Sequence, residues 1–444
     1  MKHHCPALIV AAPASGQGKT LITAALARYC RDRGQRVRVF KIGPDFIDPM
    51  LLEWACGSPV YQLDLFMLGE TQCRQLLFDA AADVDLILIE AVMGLFDGQP
   101  SSADLALMFD IPVLCVINAA AMAQTFGALA FGLANYRPGL RVAGVLANRV
   151  GGERHAEMLR ESLPATIPWI GALSFDGRYG LPERHLGLVL PDEITDLDGC
   201  INHVAATIGP WMHHVSCQVE FSDPACHAAL PTLLDGVRIA VAQDAAFAFI
   251  YRANLDLLVS LGASLVFFSP LNDSELPDCD ALWLPGGYPE LYMLRLTRNN
   301  AIMQAIRQHH QADKPILAEC GGMLYLANSL QDVQGLAVDM VGILAGHAVV
   351  QSHLVALGLQ QVDLPEGTLR GHSFHYSSFA TSVVPVTTSE NPNGGRGEAV
   401  YKLGSLTASY VHFYFPSCAT VVASFFQPQQ DARLNRSQTV ACPG

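Results

Sequence analysis

Short runs dense in Val, Ile, Leu and Ala alternate along this chain with longer stretches whose apolar residues recur every three or four positions. In the first half the short runs are "ALIVAA" (7–12), "RVRVFKI" (36–42), "DLILIEAV" (85–92), "PVLCVIN" (112–118) and "VAGVLAN" (142–148). A helical pattern at about 20–33 follows the first of them, and others fall between the rest. Continuous apolar runs are what strands buried on both faces require. The succession therefore predicts βαβ units and a parallel sheet. Between 199 and 235 the pattern breaks: Pro210, Pro224 and Pro231 and little periodicity mark a boundary and linker. The alternation restarts with "VRIAVA" (237–242), a helix near 248–261, "SLVFFS" (264–269), "ALWLPGG" (281–287) and "PILAEC" (315–320). From about residue 340 β-type runs dominate, and a polar tail follows. The expected fold class is α/β, with two three-layer α/β/α domains. They lie at 1–200 and 236–427, with a linker at 201–235 and a tail at 428–444.

Composition narrows the partners. With 51% hydrophobic and 15% charged residues, a 444-residue chain can bury two large cores. A net charge of −14 argues against a general nucleic-acid binder, which needs a basic face. Twelve cysteines without a CxxC pair read as reduced thiols, and "MKHHCPALIV" lacks the apolar core of a signal peptide, so the cytoplasm is the expected location. His3, His4 and Cys5 are metal-ligating types, but a polar N-terminus is the plainer reading. Residues 111–136 carry no charge over 26 positions, more than the ~20 needed to cross a bilayer. Pro112, Asn118, Gln124, Thr125 and Asn135 interrupt them, and they divide into a buried strand (111–117) and a helix (121–136). No membrane partner is expected.

"APASGQGKT" (12–20) follows a strand and opens a helix, the setting of a phosphate-binding loop. Pro13 stands at the first glycine position of G-x-x-x-x-G-K-[ST]. Ser15, Gly16, Gln17, Gly18, Lys19 and Thr20 remain as the ATP-binding set, with the Thr20 hydroxyl directed at Mg²⁺. Asp45 and Asp48 follow the end of a strand in "KIGPDFIDP", and Glu90 ends another just before "AVMGLFDG". Carboxylates at the carboxyl ends of parallel strands are placed to hold Mg²⁺ or to orient a substrate. Thr20, Asp45 and Glu90 are the expected metal set.

In the second half, "KPILAECGG" (314–322) puts Cys320 at the end of an apolar run, on a turn of small residues before a helical pattern. The chemistry leaves two readings open: a buried structural cysteine, or a nucleophile on a strand-to-helix elbow. For the second, His412 in "ASYVHFYF" is the candidate base. The backbone N–H groups of Gly321 and of the Gly286–Gly287 turn, Gly287 above all, are the candidate oxyanion hole.

Taken together, "KIGPDFIDP", "EAVMGLFDG", "NRVGGERHAEML" (148–159), "LPERHLGLV" (181–189), "DAAFAFIYRANLDLL" (244–258), "FFSPLND" (267–273), "LPGGYPEL" and "AECGGMLYL" resemble the cobyrinic acid a,c-diamide synthase family, in the family's order and to about residue 425. The resemblance implies a dethiobiotin-synthetase-like ATP domain with a mostly parallel sheet, joined to a class I glutamine amidotransferase domain. It implies a ligase whose substrate is a corrinoid with a and c acetate side chains, and whose co-substrates are ATP and glutamine, with Mg²⁺. Cys320 and His412 would release ammonia from glutamine. Asp45, Asp48 and Asp97 would lie at the substrate, and a homodimer is compatible with it. Three positions depart from the family pattern: Tyr414 stands two residues after His412 where an acid is common, Ser373 in "RGHSFHYS" replaces an expected glutamate, and Ala91 replaces glycine. Hydrogenobyrinate and nickel sirohydrochlorin are alternative substrates for the same chemistry, and cobyric acid synthases match these motifs less well. A ParA/MinD-type switch ATPase would carry a lysine where Ala14 stands and would leave Cys320 and His412 without a role.

Overall fold

The computed structural model describes residues 1–176, 191–212, 217–225 and 231–428. The motif at 181–189 and all but the first residue of the expected tail lie outside the described residues. The chain forms two compact units, Met1–Ala228 and Ala229–Gly444.

The N-terminal unit is built on β1 (Lys2–Ala11), β2 (Val37–Ile42), β3 (Tyr61–Leu63), β4 (Leu86–Glu90), β5 (Val113–Asn118), β6 (Val142–Val150) and β7 (Trp169–Ser174). They lie in the order β3-β2-β4-β1-β5-β6-β7, every pairing parallel. Leu8, Ile9, Val10, Ile87, Leu88, Leu114 and Val116 are buried, as the continuous apolar runs require. The chain leaves β1 toward β2 on one side and reaches β5 on the other, so β1 sits at the switch point, where open sheets collect ligands. The uncharged stretch at 111–136 is strand β5 followed by the helix Thr125–Asn135. Among the described residues, no helix is long and apolar enough to cross a membrane.

Two expectations are corrected here. The stretch 201–235 is not a plain linker. The helix Leu197–Ile208 places Leu197, Ile201, Val204, Ala205 and Ile208 against the helix Lys19–Arg31, a helical period that prolines further on obscured. β8 (Cys217–Ser222) then pairs antiparallel with Lys2–Ala7 of β1. That pairing extends β1 back to Lys2, so His3, His4 and Cys5 belong to a strand and not to a loose terminus. No cluster of three metal-ligating side chains forms among the described residues.

In the C-terminal unit, β9 (Arg238–Ala242), β10 (Ser264–Phe268), β11 (Ala281–Leu284), β12 (Ile316–Glu319), β19 (Thr387–Thr388), β20 (Ala399–Leu403) and β21 (Leu406–Ser409) form one sheet in the order β10-β9-β11-β12-β21-β20-β19. It is parallel from β10 to β21 and antiparallel beyond. Alternate residues feed opposite cores: Leu282, Leu284 and Ala318 pack on one face, Ala281, Trp283 and Leu317 on the other. β13 (Ala327–Gln331), β14 (Ala337–Asp339), β15 (Leu344–Val350) and β18 (Ser377–Ala380) make a second sheet. A third contains β16 (Ala356–Leu364), β17 (Gly367–His375) and β22 (His412–Phe413). The carboxyl ends of β11, β12 and β21 carry the residues singled out in the sequence.

Candidate active sites

After β1 the chain turns through 12–18 into the helix Lys19–Arg31. The positive φ values of this loop fall on Gly16 (74°) and Gly18 (94°), so Pro13 does not obstruct it. A side chain at Gly18 would put its first carbon 2.3 Å from Asn148 Nδ2. That amide instead donates to the Gln17 carbonyl at 2.8 Å, and the Gln17 side-chain oxygen accepts the Asn118 N–H at 2.8 Å. Asn118 and Asn148 stand on neighbouring strands, so β5 and β6 hold the loop, while Ser15 and Gly16 are exposed on its crown.

Lys19 Nζ donates to the carbonyls of Met93 (2.7 Å) and Ala14 (3.2 Å). Burial lowers its pKa, with the Glu90 charge opposing. The turn that supplies Met93 is fastened on the loop: Ala91 N–H donates to Val10 O and Leu95 N–H to Ala12 O. Asp97 braces this turn, and its charge acts on Lys19. Its Oδ2 accepts the Gly94 N–H at 2.9 Å.

Thr20 Oγ1 donates to Glu90 Oε1 at 2.8 Å, and the same oxygen accepts from Lys41 Nζ at 3.0 Å. Lys41, at 3% side-chain exposure, also donates to Asp48 Oδ2 at 2.7 Å and lies 3.8 Å from Asp45 Oδ2. Burial would lower the lysine pKa, but Asp48, Glu90 and Asp45 together hold it above its ordinary value. Burial raises Glu90 to about 7 against the pull of Lys41. Three of the four acids expected as metal or substrate groups, Asp45, Asp48 and Glu90, thus converge on one buried cation that the sequence reading passed over. Lys41 heads the "KIGPDFIDP" motif, and a lysine ending a buried strand was the available signal. Asp45 Oδ1 also accepts the N–H groups of Ile47 and Asp48. The residues nonetheless fit Mg²⁺: Glu90 Oε2 is buried with no hydrogen-bond partner among the described residues, beside the Thr20 hydroxyl. Mg²⁺ takes one or two such oxygens and completes its shell with water and phosphate.

In the C-terminal unit, Cys320 adopts φ 44° and ψ −107° between β12 and the helix Gly321–Leu326. A non-glycine residue held there is strained, the mark of a nucleophile elbow. Its N–H donates to Ser409 O at 2.8 Å, which fixes the turn to β21. Two glycines make the turn feasible. A side chain at Gly322 would lie 2.1 Å from Leu284 O, and one at Gly321 would lie 2.7 Å from Gly287 O and 2.9 Å from Gly287 N. The Gly287 and Gly321 backbones therefore meet directly after Cys320. Burial, then the nearby Glu290 charge, pushes the thiol well up, while the Gly321 N–H pulls the other way.

His412 packs on the neighbouring glycine, for a side chain at Gly286 would meet its Cε1 at 2.2 Å. It pairs with His372 across β22 and β17, and the two rings stack at 5.0 Å. Burial, with His372 and His375 nearby, holds its pKa well below the ordinary value, so the resting imidazole is neutral and able to accept a proton. Tyr414 is fully buried, edge-on to Tyr251 at 5.2 Å. Ser373 is buried too, its hydroxyl accepting from Gln360 Nε2 at 3.1 Å.

These features define a class: a phosphate-loop α/β unit joined in one chain to an α/β unit with a cysteine elbow and a neutral histidine on one glycine turn. Known proteins agree. Residues 8–188 match the CobQ/CobB/MinD/ParA nucleotide binding domain, and 238–419 match the CobB/CobQ-like glutamine amidotransferase domain. The chain is 55% identical over 434 residues to the hydrogenobyrinate a,c-diamide synthase of Pseudomonas aeruginosa, covering 96% of this chain and 99% of that protein. It is 56% identical over 432 residues to the protein of the same name from Stutzerimonas stutzeri, again covering 96% and 99%. Against the cobyrinate a,c-diamide synthase of Herminiimonas arsenicoxydans it is 48% identical over 426 residues, covering 95% and 97%. The chain belongs to the cobyrinate/hydrogenobyrinate a,c-diamide synthase family.

Proposed function

We propose that this ligase amidates the a and c acetate carboxylates of hydrogenobyrinate or cobyrinate in cobalamin biosynthesis, with glutamine as nitrogen donor and ATP as activating agent. The Cys320 turn is the observation that carries the reading: a strained, buried thiol whose next residue, Gly321, packs directly on the Gly287 backbone, with a neutral His412 packed on Gly286. A thiol in that position, with a base and two glycine backbones packed beside it, is equipped for acyl transfer. His412 takes the thiol proton as sulfur attacks the glutamine side-chain carbonyl, and the N–H groups of Gly287 and Gly321 receive the developing oxyanion. Collapse breaks the C–N bond, and His412 returns its proton to the departing ammonia. Water then cleaves the thioester to glutamate.

In the N-terminal unit the 15–20 loop, with Lys19, cradles the ATP phosphates. A substrate carboxylate takes the γ-phosphoryl group, and ammonia displaces phosphate from the acyl phosphate to leave the amide. Thr20 and Glu90 would hold Mg²⁺, which supplies charge stabilisation during phosphoryl transfer. Lys41 keeps Asp48 and Asp45 poised near this centre. Twice repeated, the cycle gives the diamide. The setting is cytoplasmic, with the cysteines reduced, and a homodimer is the assembly to seek by light scattering.

The substrate test is incubation with ATP, Mg²⁺ and glutamine against hydrogenobyrinate, cobyrinate and nickel sirohydrochlorin, counting two amidations by mass. Hydrogenobyrinate is the expected preference, because the relatives at 55% and 56% identity bear its name; reaction with none of the three would refute the proposal. Cys320→Ala should end glutamine-supported amidation and spare the ammonia-supported reaction, whereas Lys19→Ala should end both.

A further inference from the structure

The stretch 244–258 reaches the candidate base, directly or through one neighbour, by three side chains. Phe249 lies edge-on to the His412 ring at 5.9 Å and 60°. The Tyr251 hydroxyl lies 3.0 Å from His372 Nδ1, and both residues are buried. Asn254, also buried, grips the chain on either side of Tyr414: its amide donates to Phe413 O and its oxygen accepts the Phe415 N–H, both at 2.8 Å.

His372 is the neighbour through which Tyr251 acts. β17 and β22 are antiparallel with His372 directly opposite His412, which puts both side chains on one face of the sheet. The two rings lie 5.0 Å apart with 21° between their planes, inside the ~4.5–7 Å of offset-stacked aromatic pairs. His412 is thus confined between the His372 ring, the edge-on Phe249 and the bare backbone of Gly286. Tyr414, two residues on, brings a phenol and not a carboxylate, and its ring packs on Tyr251. Burial lowers His372 to about 3, so one neutral imidazole lies on another. The titratable groups around His412 are His372 and His375 on β17, Cys320 at the elbow, Glu319 bound to the Phe413 N–H, and Tyr410, Tyr414 and Tyr251.

We propose that His372, fixed by Tyr251, is the positioning residue of the candidate base: its ring holds the His412 imidazole in the orientation that proton transfer from Cys320 requires. The inference rests on the glutaminase reading of Cys320 and deepens it. The proton passes from sulfur to His412 and on to the departing nitrogen, and His372 neither gains nor loses one. A neutral ring orients without adding charge. His412 therefore stays a weak base that takes the thiol proton only as sulfur attacks, which suits a thiol that burial keeps protonated.

Two substitutions separate the ring of His372 from its hydrogen bond. His372→Phe keeps a flat ring on His412 and loses the contact to Tyr251, while His372→Asn keeps a polar partner for Tyr251 and loses the ring. Glutamine hydrolysis is measured against pH with the full chain, ATP, Mg²⁺ and the macrocycle present, beside ammonia-supported amidation. His372→Asn should lower kcat for glutamine by on the order of 100-fold, the effect of a misplaced catalytic group, with KM and the ammonia-supported rate unchanged. Water at the vacated face should also raise the pKa of His412, so the acidic limb of the kcat profile moves to higher pH. His372→Phe should restore the native limb and most of kcat. Equal losses in the two variants, a loss with phenylalanine alone, or native kcat in both would overturn the proposal. Should neither variant fold, NMR of the native chain decides: the stacked His412 ring should not titrate between about pH 5 and 8. A midpoint at the ordinary 6.5 would overturn the proposal. Absence of glutamine hydrolysis in the native chain would sink the glutaminase reading itself, and the role of His372 with it.

Discussion

Glu319 Oε1 accepts the backbone N–H of Phe413 at 2.7 Å, which ties the residue before Cys320 to the residue after His412. Its other oxygen accepts from Trp283 Nε1, also at 2.7 Å. One buried carboxylate therefore sets the spacing of the strands that carry the candidate nucleophile and base. Glu319→Ala would leave two buried N–H groups without partners, at about 1–3 kcal/mol each. We expect the C-terminal unit to lose about 2–6 kcal/mol in urea unfolding. Glutamine-supported kcat should fall with little change in the ammonia-supported rate, and an equal fall in both would remove Glu319 from this role.

The same residue predicts a pH dependence. Burial raises Glu319 to about 8 from its ordinary 4.5, against the two N–H donors. The folded unit thus binds this proton more tightly than the unfolded chain does. The stabilisation is complete below 4.5 and is lost as pH rises through about 8. Thermal midpoints of the native chain should decline across that window, and Glu319→Gln should flatten the decline. Parallel profiles for the two would contradict the assignment.

Strain at Cys320 can be measured by substitution. Glycine ordinarily costs a folded protein about 0.5–1 kcal/mol relative to alanine. At φ 44° the order should reverse, because alanine keeps the strain and glycine releases it. Cys320→Gly should be more stable than Cys320→Ala by about 1 kcal/mol in unfolding experiments, with neither releasing ammonia from glutamine. The ordinary order would mean that the elbow is not strained.

Lys41→Met should be among the most damaging changes in the N-terminal unit. It strands Asp48 and Glu90 as buried acids without their cation, a loss of about 3–5 kcal/mol. The pKa of Lys41 is raised in the fold, so its contribution is complete at neutral pH and is lost only above the lysine's ordinary 10.5. Differential scanning calorimetry at neutral pH should show the deficit. A near-native midpoint would mean that the acids are satisfied without the lysine.

The strands and turns that position both sites were legible because their signals are local. Apolar runs expected at 36–42, 112–118 and 264–269 appear as Val37–Ile42, Val113–Asn118 and Ser264–Phe268. A phosphate loop needs a strand, glycines and a helix start within twenty residues, and the chain writes all three in order. The elbow is equally compact, since "AECGG" shows both the small residues that permit the turn and the acid beside the thiol.

What sequence could not deliver depends on sheet order and register. Lys41 meets Glu90 across 49 residues, Glu319 meets Phe413 across 94, and Gln17 meets Asn148 across 131. β8 pairs with β1 from the far end of its unit, which is why a real strand was read as linker. His375 Nε2 meets Glu398 Oε1 at 3.1 Å because β17 and the residues preceding β20 converge, a pairing that "RGHSFHYS" alone does not announce. The sequence by itself determined the class of fold, the phosphate loop and the cysteine turn, since backbone geometry and burial over a few residues are encoded where they occur. Only the tertiary structure decided which buried charge answers which, because a buried charge is stabilised by whatever partner the packed sheets bring to it.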